Sequence, residues 1–420
     1  MQPVAAIPPG RLGWLGRLAP QERRAFWAAF GGNALDNLDF SLFSFLIPTL
    51  TVTWGMSRAE AGLIATSTAI SGAVGGVVAG ALADRFGRVR ILQITILWFS
   101  VFTFLCGFAQ NPDQLLLART LQGLGFGGEL AVGAVLIGEA VRPADRGKIM
   151  GGVASGYAVG AIAASCIYAL VYLLFPPELA WRWALWTGIL PALLVLYIRR
   201  GVEEPEVYLS GRQERRTAGS VSLLGPSLIG RTLPAVLLVA GVTAAQLTFA
   251  IWLPTWLRAE HGLSVANTSL YAIVNYIGAL IGFLSGGYFV DWMGRRNAFR
   301  IFALISFVGV CIYLLLPLPS LALVPLGILV GIAFVVMGVG MTPYLTELFP
   351  TAVRGSGLGL CYSLGRAVGA LSVGLVGLAS GTIPLGWAIA MVIAANLLLV
   401  ALIATLLPET AGRALTISTP

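Results

Sequence analysis

The 420-residue chain is 57% hydrophobic and only 10% charged, whereas a soluble globular chain carries about 25% charged residues, so an ordinary soluble domain is excluded. Its net charge of +8 is dispersed over alternate loops rather than gathered on one face, which removes nucleic acid as the partner that would explain it. Cys106, Cys166, Cys311 and Cys361 all fall inside apolar runs, without metal-ligand spacing or a disulfide framework.

Apolar runs long enough to cross a bilayer as helices recur twelve times, at 26–53, 61–82, 90–109, 115–140, 149–175, 182–200, 233–257, 266–290, 299–318, 321–346, 355–381 and 385–407. Residues 1–25 read as a cytoplasmic tail without a cleavable signal peptide, 201–232 as a cytoplasmic connector and 408–420 as a second cytoplasmic tail. Between them lie an N-terminal six-helix bundle, 26–200, and a C-terminal one, 233–407. Arginines gather before the first span (Arg23, Arg24), after the second (Arg85, Arg88, Arg90), after the fourth (Arg142, Arg146) and along the connector. The positive-inside rule then places both termini in the cytoplasm of a multi-pass protein of the plasma membrane, the inner membrane of a bacterium.

The first span carries Asn33, Asp36, Asn37 and Asp39 within an apolar run. Asn33, Asp36, Asn37 and Phe40 share one helix face, and Asp39 stands about 60° from Asp36. Carboxylates at this depth must look into a protein cavity, because facing lipid would cost several kcal/mol. The second span is rich in small residues, among them Gly72, Gly75 and Gly76, which let helix backbones approach closely. The fourth span contributes Arg119, Gln122 and Glu129. Arg119 reads as a cavity residue or as an interfacial arginine that snorkels outward. Glu129 reads either as a substrate or proton ligand or as a hydrogen-bonding group between helices. Tyr157 in the fifth span, Gln246 in the seventh, Asn275 and Tyr276 in the eighth and Asn396 in the twelfth are further polar candidates for substrate binding. Arg366, near the middle of the eleventh span, is too deep to snorkel and reads as a cavity cation. His261, the single histidine, falls in a loop beside Glu260 and reads as a solvated residue rather than a proton relay.

Two charged turns repeat at half the chain length. Gly80-Ala81-Leu82-Ala83-Asp84-Arg85-Phe86-Gly87-Arg88 returns as a turn containing Asp291, Gly294 and Arg295, with Asp84 and Asp291 207 residues apart. Glu139 precedes Arg146 by seven residues, and Glu347 precedes Arg354 by the same interval, 208 residues on. The protein is therefore two copies of one unit.

These turns together resemble the major facilitator superfamily. The Asp84 turn is similar to that family's G-x-L-x-D-R-x-G-R motif, and the resemblance covers all twelve spans. Arg119 through Glu129, Glu139 with Arg146, and Pro408-Glu409-Thr410 are similar to sugar porters and their organic-acid relatives. Leu35-Asp36-Asn37-Leu38-Asp39-Phe40 resembles the first-helix D-G-x-D element of carboxylate–proton symporters, with Asn37 in place of glycine. Ser155-Gly156-Tyr157 and Trp181-Arg182-Trp183 resemble the sialate/lactate–proton symporter branch. Phe249-Ala250-Ile251-Trp252 departs from the acidic run of fungal lactate carriers in that branch, which argues against lactate itself.

The resemblance implies an all-α membrane protein of twelve transmembrane helices, in two pseudo-symmetric six-helix bundles that rock about a central cavity. It implies gating roles for Asp84, Arg85, Arg88, Glu139, Arg146, Asp291, Arg295, Glu347 and Arg354, and it pairs Asp39 with Arg119. Arginine holds a carboxylate through its planar fork, so arginines opposite aspartates suit an organic anion carried with protons. Asp36, Asp39 and Glu129 are the proton-coupling candidates; Asn33, Arg119, Gln122, Tyr157, Gln246, Asn275, Tyr276, Arg366 and Asn396 are the substrate candidates. The expected partners are a small organic anion, protons and the lipid bilayer, with no cofactor, no metal and a monomeric state. A sugar or polyol porter is the alternative, drawing on Gln246, Asn275 and Asn396. A non-transporting nutrient sensor is a further one, against which the short tails speak. Absence of a nucleophile–base set or phosphate loop argues against an enzyme or an ATP-driven pump.

Overall fold

The computed structural model describes residues 18–140, 146–201, 228–349 and 354–410, and every regular element among them is helical. The first half comprises α1 (Pro20–Trp54), α2 (Arg58–Phe86), α3 (Arg88–Cys106), α4 (Pro112–Ala140), α5 (Arg146–Leu174), α6 (Pro177–Trp186) and α7 (Pro191–Gly201). The second comprises α8 (Ile229–Ala259), α9 (Val265–Met293), α10 (Arg295–Leu315), α11 (Leu323–Leu348), α12 (Arg354–Ala379) and α13 (Leu385–Leu406).

Most boundaries shift by a few residues from the sequence expectation, and two differences are larger. The sixth span, read as one helix over 182–200, is α6 and α7 with a 3-10 turn at Thr187–Ile189 between them. Pro191 has no N–H to donate, and its ring crowds the carbonyl four residues earlier, so the α-helical ladder cannot run through it. The first helix begins at Pro20, inside the expected tail. Proline suits the first helical position, and the Glu22 carboxylate accepts the Ala19 N–H at 2.8 Å, which caps the helix start. Most of the expected connector (202–227) and most of both tails (1–17 and 411–420) lie outside the described residues.

Nine helices among the described residues are long and apolar enough to cross a membrane. They do not include α1, whose middle holds the Asn33-to-Asp39 cluster. Apolar side chains such as Leu97, Leu284, Leu375 and Leu402 stand exposed on the outer surface, as a lipid-facing wall requires and an aqueous surface would not. The charged turns repeat in geometry as well as in sequence. Gly87, between α2 and α3, has φ 108°, and Gly294, between α9 and α10, has φ 81°. That region of backbone space is open to glycine and costly for other residues, which accounts for a glycine at the same place in both copies.

The same pairs of helices pack in each half: α2 on α4 and α1 on α5, then α9 on α11 and α8 on α12. Small residues make this possible. A Cβ at Gly127 would run into the Gly72 carbonyl, and one at Gly75 into that of Leu124; in the second half Gly278 and Gly331 abut the Ile328 and Asn275 carbonyls in the same way. Van der Waals contact at this range is a main source of cohesion where lipid removes the hydrophobic drive between helices. The halves meet along α2–α12, α5–α9 and α1–α8. Thr66 Oγ1 donates to the Ala370 carbonyl at 3.1 Å, and Arg258 Nη1 donates to the Tyr168 hydroxyl at 3.2 Å. Both bonds lie toward the end of the bundle opposite the Gly87 and Gly294 turns.

Candidate functional site

α1, α2, α4 and α12 enclose a cavity lined by Asp39 and Phe40, Thr68 and Ala69, Arg119, Gln122 and Phe126, and Arg366. Arg119 Nη1 lies 2.9 Å from Asp39 Oδ2, with both side chains buried. The same nitrogen donates to Gln122 Oε1 at 3.0 Å. Gln122 Nε2 donates to Asp39 Oδ2 and approaches Thr103 Oγ1 at 2.7 Å. The guanidinium lies over the Phe43 ring, 4.5 Å from its centroid. Arg119 is therefore an interior cation, and the snorkelling alternative does not describe it: only 2% of its surface is exposed. Its Nε and Nη2 have no hydrogen-bond acceptor, so one edge of the fork is held by Asp39 and Gln122 while the other is uncommitted.

Arg366 approaches the cavity from the opposite half. Its guanidinium stands 5.6 Å from the centroid of Phe126, and Phe126 stacks on Phe40 at 6.4 Å and 23°. Among the described residues no hydrogen bond or salt bridge takes up the Arg366 guanidinium. Asp36 and Glu129 lie close by, both 2% exposed, with Arg366 near enough to act on Asp36 electrostatically.

Several other polar candidates hydrogen-bond the helix framework. Asn33 Nδ2 donates to the Val153 carbonyl at 3.1 Å, and Asn37 Nδ2 to that of Tyr157 at 2.7 Å, clamping α1 to α5. Gln246 Nε2 donates to the Phe334 carbonyl at 2.6 Å, and Asn275 Nδ2 to that of Gly327 at 2.9 Å. Asn396 Nδ2 donates to the Val392 carbonyl at 2.8 Å and approaches Ser372 Oγ at 3.3 Å. Tyr276 is buried, with Ser41 of the other half as a neighbour. Tyr157 packs 6.1 Å from Phe283, with Arg366, Tyr276 and Tyr362 as electrostatic neighbours. His261 packs on Trp256, 4.5 Å between ring centroids.

The second charged turn is a closed network. Arg295 Nη1 is 2.7 Å from Asp291 Oδ1, and its Nη2 is 3.1 Å from Glu347 Oε1. Thr410 Oγ1 donates to Glu347 Oε2 at 2.6 Å. The Glu409 carboxylate accepts the Arg295 and Arg296 backbone N–H groups at 3.0 and 3.1 Å, capping the start of α10, where a negative charge is favoured. Of the first-half counterparts, Arg88 is buried and Arg85 lies over Phe86 at 5.3 Å. The side chains of Asp84, Glu139, Arg146 and Arg354 lie outside the described set.

Phe126, Phe40, Thr68 and Ala69 line the cavity without having been singled out as site residues from sequence. Phe126 was open to discovery: Arg119, Gln122 and Phe126 follow one another at i, i+3 and i+7, a single helix face. Thr103, the partner of Gln122, carries no such signal, because it comes from α3.

Residues 29–373 match the Major Facilitator Superfamily. The chain is 40% identical over 403 residues to a "Probable 4-methylmuconolactone transporter" of Cupriavidus pinatubonensis, covering 96% of this chain and 94% of that one. It is 30% identical over 381 residues to a "Cis,cis-muconate transport protein" of Acinetobacter baylyi, covering 87% and 90%. A crystal structure of a D-xylose–proton symporter superposes with a TM-score of 0.76 at 18% identity, covering 93% of this chain and 99% of that one; this likeness is one of fold.

Proposed function

The chain belongs to the Major Facilitator Superfamily and is a multi-pass membrane transporter, and we propose that it moves a small organic acid together with protons by alternating access. One observation carries the organic-acid reading: the Arg366 guanidinium borders the cavity with no carboxylate paired to it among the described residues. Arg366 is half-buried at the cavity and no carboxylate among the described residues meets it within ion-pair distance, so an incoming carboxylate can engage its fork directly through two parallel N–H···O bonds. The uncommitted edge of Arg119 offers a second contact, and Phe40 and Phe126 form an apolar wall suited to a flat, unsaturated carbon skeleton. The names of the two relatives, a muconolactone transporter and a muconate transport protein, support substrates of that class.

The sugar or polyol alternative draws on Gln246, Asn275 and Asn396; Gln246 and Asn275 are engaged by backbone carbonyls of neighbouring helices and Asn396 by one on its own helix. Proton coupling follows from charge balance. A carboxylate arriving at Arg119 competes with Asp39 and adds negative charge beside it, so protonation of Asp39 and substrate binding favour one another, and linkage makes the effect reciprocal. The charged turns, with Glu347 and Arg295 as the described pair, brace the cytoplasmic side of a bacterial inner-membrane protein that works as a monomer.

The test is uptake into proteoliposomes under an imposed pH gradient, screened over cis,cis-muconate, muconolactones, sialate, lactate, aromatic acids and hexoses. Accumulation of an unsaturated carboxylic acid, driven by an alkaline interior, is the expected outcome. Transport of a hexose with no organic acid moved would replace this reading with the sugar porter.

A further inference from the structure

Asp36 and Glu129 meet in a way the Asp39–Arg119 pair does not explain. The Asp36 carboxyl points from α1 toward α4, where its hydrogen-bonding neighbour is the Glu129 carboxyl. Neither Asp36 oxygen, nor Glu129 Oε2, receives an N–H or O–H from any other group, and all three atoms are buried. Glu129 reaches this position across a bare stretch of α1: a Cβ on Gly32, one turn before Asp36, would overlap Glu129 Oε1. Two carboxylates, each 98% removed from the surface and with three of their four oxygens lacking donors, cannot both be ionised in contact without repulsion in a medium that screens charge poorly. One proton between them turns that repulsion into a short O–H···O⁻ bond.

We propose that Asp36 and Glu129 form a proton site, separate from Asp39 and Arg119, in which two carboxyls share one proton in the substrate-free protein. The groups facing it are Asp39 on its own helix, with Arg119 beyond, and Arg366 from α12. Tyr157 on α5 and Tyr276 on α9 are electrostatic neighbours of one another and complete the titratable surroundings. With one proton the pair carries a single negative charge, and Arg366 is the cation that balances it. An organic anion bound to Arg366 withdraws that balance, and the pair then takes up a second proton from solution. Charge balances per carboxylate: one carboxylate group and one proton enter, and the net charge of the cavity is unchanged; the second carboxylate of a dianion such as muconate needs a second proton, which Asp39 takes up on the reading above. The link to substrate rests on the organic-acid reading above; the shared proton does not.

Infrared spectroscopy of the purified full chain in lipid, at neutral pH and without substrate, tests the shared proton through the C=O stretch of a protonated carboxyl. The wild type is expected to show a deuterium-sensitive band that persists in Asp39→Asn and is lost in both Asp36→Asn and Glu129→Gln. Absence of the band in the wild type, or its survival in Glu129→Gln, overturns the proposal, and the wild-type measurement decides even where a variant does not fold. A band abolished by sodium chloride but not by potassium chloride at fixed pH would make the pair a sodium site and overturn it equally. Cis,cis-muconate is expected to increase the band. If muconate is accumulated and the band does not change, the link to Arg366 is wrong; if no organic acid binds or is transported, the organic-acid reading fails while the substrate-free band still decides the pair.

Discussion

Arg119 and Asp39 meet across the packing of α1 on α4, 2.9 Å from Nη1 to Oδ2, with side-chain exposures of 2% and 4%. The pair is held on three sides: Gln122 bonds both members, Thr103 fixes Gln122, and Phe43 covers the guanidinium. Breaking a buried pair by deleting one member costs more than the pair contributes, because a bare charge remains. Arg119→Ala is expected to destabilise the protein by about 3–5 kcal/mol, read as a lowered thermal midpoint in detergent. Asp39→Asn keeps an oxygen for Arg119 and removes the charge. It should retain substrate binding and counterflow exchange yet lose accumulation driven by a pH gradient; undiminished accumulation would remove Asp39 from the coupling.

Arg366→Lys preserves the charge and removes the planar fork. Charge-assisted hydrogen bonds contribute about 1.5–3 kcal/mol, so affinity for cis,cis-muconate should fall about 10- to 100-fold, measured as the concentration giving half-maximal uptake. A neutral substrate would be nearly indifferent to the change.

The second-half turn separates two kinds of ion pair. The Asp291 side chain is 72% exposed, and an exposed pair contributes about 0–1 kcal/mol, so Asp291→Asn should leave the thermal midpoint almost unmoved. Glu347 is 17% exposed and receives both Arg295 and Thr410. Glu347→Gln is expected to lower the midpoint and slow transport together. Asp84 occupies the Asp291 position of the first repeat, and Asp84→Asn should slow transport and shift cysteine labelling of the cavity between the two membrane sides while folding is largely kept.

Gly127 meets the Gly72 backbone so closely that a methyl group has no room. Gly127→Ala must separate α2 from α4, at a cost of about 1–3 kcal/mol for overpacking, and transport should fall with it. Gly80, with open space around its α-carbon, is the control: Gly80→Ala is expected to be neutral or slightly stabilising.

The spans, the half-chain repeat and the paired turns were legible because each rests on local chemistry. A helix in lipid needs an unbroken apolar stretch, and a positive-φ turn needs glycine, wherever the neighbours lie. The break in the sixth span was present in the sequence as Pro191, but the surrounding apolar run masked it. Arg119 and Asp39 could be paired only through family resemblance, since nothing local brings together residues 80 positions apart.

By itself the sequence determined that this chain crosses a membrane many times as two related halves, and that charge is buried in α1, α4 and α12. Burying such charge in lipid is too costly to be incidental, so composition alone marks these helices as functional. Which charge meets which was decided by the tertiary structure. On a helix wheel Asp36 and Asp39 are neighbours and look like one unit. Packing of α1 on α4 divides them, turning Asp39 toward Arg119 and Asp36 toward Glu129. The amides of Asn33, Gln246, Asn275 and Asn396, equal candidates by sequence, went to backbone carbonyls on or beside their own helices. A periodicity specifies the face of one helix, whereas partnership depends on the rotation and separation of two, and those are set by the small residues between them.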